Sequence, residues 1–83
     1  RDAAVVEWVA SRPPVIQALI REFPLNTVFH EPDGTELFLV GYNEGDMLIV
    51  SDFDPAKDFN KAVRHQFYLC ADHVRRLSGY STN

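Results

Sequence analysis

A chain of 83 residues has room for one domain, and its 46% hydrophobic and 24% charged content is ordinary for a globular protein. No apolar run approaches the ~18 residues of a membrane span, and a net charge of −4 disfavours indiscriminate binding to nucleic-acid phosphates. The single cysteine, Cys70, excludes an internal disulfide framework and points to a reducing, cytoplasmic setting. No signal peptide is visible, and a start at Arg1 rather than Met indicates a processed chain or a piece of a longer one.

The reading is one domain over 1–83, with a helical segment over 1–24 and a β-rich core over 27–77. Asp2 can cap a first helix through about Ala10, with Val5, Trp8 and Val9 on one side. Trp8 is either a lid on the core or an anchor for a partner, and the lid is favoured. Ser11-Arg12-Pro13-Pro14 breaks this helix, and Pro14 suits the first turn of a second helix over Val15 to Phe23. Its stripe of Ile16, Leu19, Ile20 and Phe23 should pack on a sheet, and Pro24 stops it.

Thr27 to Glu31 reads as a strand, and Pro32-Asp33-Gly34 turns it back into Thr35 to Tyr42. Asn43 to Asp46 carries the residues of a second reversal, into Asp46 to Ser51. The result is a three-stranded meander. Its runs LFLV and MLIV do not alternate with polar residues, so both faces are expected to be buried. Strand parity puts Leu37 and Leu39 on one face and Phe38, Val40 and Tyr42 on the other. The strand over 37–42 should be an inner one, because an uncovered LFLV would invite aggregation.

Asp54 as cap with Pro55 after it predicts a short helix, roughly Ala56 to Arg64, with Phe59, Ala62 and Val63 inward. Gln66 to Ala71 is the fourth strand. Asp72 should cap a last helical turn with Val74 and Leu77 inward and Gly79 closing it. Residues 80–83 should fray.

Few residues carry a chemical signal. Cys70 and His73, with His65 and His30 converging from elsewhere, would be needed for zinc, but the paired spacing of such sites is missing. A Cys/His nucleophile lacks an activating partner. Asp52, Asp54 and Asp58 crowd one loop, where Pro55 and Phe59 break a calcium-loop pattern, so capping is their expected work. No phosphate-loop, dinucleotide or nucleophile-elbow motif is present.

Charge is uneven: residues 1–54 hold three Arg against ten Asp and Glu, and 55–83 hold five Lys and Arg against two Asp. Lys57, Lys61 and Arg64 share one face of the expected helix, and with Arg75 and Arg76 they form a candidate anion patch. These five and Trp8 are the candidate binding residues. No catalytic, cofactor-binding or metal-ligating residue is assigned, and no cofactor is expected.

The succession TVFHE, the PDG turn, ELFLVGY, the EGD turn, DMLIVS, a longer loop, QFYLC and a closing turn at DHVRRL resembles the strand rhythm of SH3-like or Tudor-like small barrels. The resemblance covers Thr27 to Leu77 and matches no family motif residue by residue. It implies a non-catalytic binder of peptides or nucleic acids, to which the two N-terminal helices are an addition.

The expected fold is therefore α+β: a small antiparallel meander or partly open SH3-like barrel of about four strands, packed with two N-terminal helices and short helical turns. The expected function is a non-enzymatic protein-interaction or regulatory module, with a protein partner or a homodimer formed through an N-terminal helix or a sheet edge such as 27–31. A nucleic-acid-binding accessory domain using the basic patch is the alternative, and a small enzyme the third reading.

Overall fold

A computed structural model describes the backbone over 3–77 and 81–82, and side chains over 6–77. The fold is α+β. In chain order it runs α1 (Ala3–Ala10), α2 (Pro14–Glu22), β1 (Thr27–His30), β2 (Glu36–Asn43), β3 (Met47–Ser51), α3 (Phe59–Arg64), β4 (Gln66–Cys70), α4 (Ala71–Arg76) and β5 (Ser81–Thr82). The strands form one antiparallel sheet in the order β4-β3-β2-β1-β5. It is open, with β4 and β5 at its two ends, so the barrel alternative is corrected. Among the described residues, no helix is long and apolar enough to cross a membrane.

The central position of β2 agrees with the expectation of an inner strand. The expected edge at 27–31 is corrected: β1 lies between β2 and β5, since Thr27 and Val28 pair with Thr82 and Ser81. Those two tail residues, expected to fray, are part of the sheet. The cap at Asp2 and the closing Gly79 lie outside the described residues.

The core sits on one face of the sheet. Ile16, Leu19 and Ile20 of α2 and Phe23 at its C-cap pack on Phe29, Leu37, Leu39, Leu48 and Val50, and α4 adds Ala71 and Val74. Pro14 starts α2 without losing a needed N–H, and its apolar stripe does the rest. Phe23 meets Phe29 edge-to-face, with ring centroids 5.8 Å apart. Among the described residues, the opposite face is covered only in part, with Phe59 of α3 beside it. Val28, Phe38, Val40 and Ile49 are only half-buried there, and Tyr68 is 50% exposed. The expectation of two buried faces is thereby corrected. Apolar side chains occur on both faces, but one layer of helix covers only one.

Tyr42 also departs from its expected face. Leu39 pairs with Val50, but the next pair is Gly41 with Ile49, so the register shifts at Val40. An extra residue in one strand reverses side-chain parity beyond it. Tyr42 therefore joins Leu48 on the core side, and its hydroxyl donates to the Phe23 carbonyl at 2.5 Å. Burial pushes the Tyr42 phenol well above its usual range. The Trp8 ring lies 6.4 Å from that of Tyr42 and is 40% exposed, so it is a half-open lid.

Two cap assignments shift as well. Asp54 closes a turn instead of a helix: its Oδ1 accepts from Ala56 N–H at 2.9 Å and its carbonyl accepts from Lys57 N–H. Asp58 is the N-cap of α3, accepting from Lys61 N–H at 3.1 Å. Of the three residues expected inward, Ala62 alone is buried; Phe59 and Val63 are 60% and 38% exposed. Phe59 stands at the first helical position, where side chains lean back toward the N-terminus. In α4 the cap position is Cys70, and Asp72 lies in the first turn.

Candidate functional site

The uncovered face contains a groove of about 480 Å³. Val28, Phe38 and Val40 form its floor, and Pro55 and Phe59 a wall, with Leu25 at one end. The loop between β3 and α3 is stiffened locally. Phe53 N–H donates to the Ser51 hydroxyl at 3.1 Å, the Asp54 turn follows, and Asp58 caps the helix that carries Phe59. The Lys61 ammonium lies 4.3 Å from the centre of the Phe53 ring, which holds α3 against the loop. Asp54 is the one ionisable group among the described lining residues, so the groove offers apolar contact and little acid–base chemistry.

The structure separates the predicted cationic residues. Lys61 and Arg64 belong to α3, before β4, and Lys57 to the turn that precedes it. Arg75 and Arg76 belong to α4, after β4. The two groups stand at opposite ends of a five-residue strand, ~17 Å apart along it. Around α3, Asp52, Asp54 and Asp58 offset Lys57, Lys61 and Arg64.

Arg75 is committed to the fold. Its Nε and Nη2 donate to both Glu22 oxygens at 2.6 Å, and its Nη1 donates to Asp72 at 2.6 Å and Asp46 at 3.4 Å. This fork joins α2, the β2–β3 turn and α4. The hydrogen bonds from Arg75 hold the Glu22 carboxyl below its usual range, and those same bonds, Glu22 first, raise Arg75 further. Sequence reasoning missed this cluster because Glu22 and Arg75 lie 53 positions apart. Arg76 lines a small recess beside His30, Glu31 and Pro32.

The zinc candidates do not gather. His65 Nδ1 is 3.4 Å from Asp52, and His30 Nε2 is 3.4 Å from Glu36. Among the described residues, Asp46, Cys70 and Asp72 bring donor atoms within 4.8 Å of one another. Both carboxylates already bind Arg75 Nη1, so a cation there would compete with a guanidinium.

No family model, no curated protein and no solved structure matches the chain.

Proposed function

We propose that this chain is a non-enzymatic protein-interaction module, working in a reducing, cytoplasmic setting, and that the groove on its uncovered sheet face receives apolar side chains of a partner polypeptide. The observation that carries this reading is the contrast between the two faces. One is sealed by α2 and α4; the other keeps Val28, Phe38, Val40 and Ile49 half-open beside a Phe59 that is 60% exposed. Apolar surface concentrated beside a formed cleft is what an interaction site needs.

Display of random peptides against the whole chain tests it. Enrichment of sequences bearing aliphatic or aromatic anchors is expected, with binding lost in Phe59→Asp, a change at an exposed side chain that leaves the core intact. Absence of enrichment, or equal binding by Phe59→Asp, rejects the reading. The nucleic-acid alternative predicts a gel shift at low salt that fades as salt rises; the division of its cations between the two ends of β4 weighs against it.

A further inference from the structure

The geometry points to a second interaction surface, the free edge of β4, and to its occupant: β4 of a second copy of this chain, paired antiparallel about a two-fold axis at Tyr68. β4 ends the sheet, with β3 on one side and, among the described residues, no strand on the other. Natural edges are usually blunted by charge, proline or a bulge. Gln66-Phe67-Tyr68-Leu69-Cys70 has no charge and no proline, and its pairing with β3 runs from Ser51↔Gln66 to Met47↔Cys70 without a shift. Phe67 and Tyr68 are 37% and 50% exposed.

The ladder determines which backbone groups are free. Ala71 N–H donates to the Asp46 carbonyl at 2.8 Å, one step beyond the Met47↔Cys70 pair. Hydrogen-bonded and non-bonded pairs alternate along an antiparallel ladder. Leu69 and Phe67 therefore direct their N–H and C=O groups at β3, while Gln66 and Tyr68 direct theirs outward, as does the Cys70 N–H; the Cys70 carbonyl, at the N-cap, accepts the first bond of α4. A two-fold at Tyr68 sets Tyr68 against Tyr68 and Gln66 against Cys70 of the other copy. Each of these is an outward-facing residue meeting another, which allows on the order of four new hydrogen bonds, the Cys70 carbonyls being held by α4. A two-fold at Phe67 or Leu69 would oppose residues whose groups are already used.

Side chains agree with this register. Phe67 falls beside Leu69 of the other copy in a close, non-bonded pair, covering apolar surface that each copy leaves open. Lys61 and Arg64 at the start of one β4 approach the Arg75 cluster at the end of the other, where three carboxylates face one guanidinium. Such pairing is small in area, so a dissociation constant in the micromolar range is expected. The surface is distinct from the groove, so either proposal can fail without the other.

Sedimentation equilibrium on the whole chain, from about 2 to 200 µM, should show conversion from the 9.5 kDa monomer to a species of twice that mass. Tyr68→Pro deletes an outward N–H and spares the β3 ladder; it should keep the wild-type circular dichroism and weaken dimerisation roughly tenfold or more. Tyr68→Lys, which sets like charges across the axis, serves the same purpose if the proline variant misfolds. Gln66→Cys should form a disulfide-linked dimer through the native Cys70 under mild oxidation, whereas Gln66→Ser should not. The wild type should not either, since its two Cys70 residues lie ~13 Å apart in this register. A wild type that stays monomeric at the highest concentration overturns the proposal. So does a dimer indifferent to the folded Tyr68 variant, or failure of Gln66→Cys to cross-link.

Discussion

Adjacent residues of β2 should differ sharply in what they contribute to stability. Leu39 is 4% exposed and packs with Leu37, Leu48 and Val50 under α2; Val40, the next residue, lies half-buried on the uncovered face. Leu39→Ala removes three carbons from a packed site and leaves a cavity, at a cost of about 3 kcal/mol. Val40→Ala removes two carbons from a site that water already reaches, at a cost of about 0.5 to 1 kcal/mol. A domain of this size has a total stability on the order of 5 kcal/mol, so the first change takes more than half and the second a small part. With a urea m-value of about 1 kcal/mol/M, the midpoints should fall by ~3 M and by less than ~1 M. Urea unfolding followed by tryptophan fluorescence and far-ultraviolet circular dichroism gives both numbers. Equal shifts would show that both faces are sealed and would refute the one-sided core.

Three further outcomes follow from single interactions. Arg75→Met should lower stability modestly at pH 7, because Arg75 and Glu22 are each 37% exposed and screened by solvent. Glu22 has a folded pKa held below 4.5, so its share is complete above that pH and lost as pH falls through the folded value. The gap between wild type and variant in urea should therefore narrow as the pH is taken below 4.5, and a constant gap contradicts the role given to this pair. Gly45→Ala should cost about 1 kcal/mol, because φ is +77° at a position open enough to admit a methyl group; a neutral thermal melt would count against that backbone. Asp58→Ala should cost about 1 kcal/mol through loss of the α3 cap, whereas Asp54→Ala should leave α3 protection from amide exchange unchanged.

Much of the scaffold was legible because its signals are local. Pro14, Pro24 and the Ile16–Phe23 stripe mark α2, and the turn at Pro32 to Gly34 is closed as its residues suggest. Gly34 takes φ +90°, and Asp33 accepts from Thr35 N–H, which lowers the Asp33 carboxyl pKa. What stayed hidden depends on relations between distant residues. Phe38, Val40 and Ile49 are as apolar as Leu37, Leu39 and Leu48, so hydropathy cannot tell a covered face from an open one. The register shift that turns Tyr42 inward is a property of two strands together. Asp54 and Asp58 are equally good caps, and only the turn between them decides which one starts α3. The candidate cations were legible as a list, but not their division between α3 and α4 nor the three carboxylates that occupy Arg75.

The central claim is that this sheet is covered on one side and open on the other. Methyl NMR in the presence of a water-soluble paramagnetic agent tests it most directly. Signals of Val28, Val40 and Ile49 should be strongly attenuated while those of Leu37, Leu48 and Val50 persist. Equal protection of both sets would contradict the account.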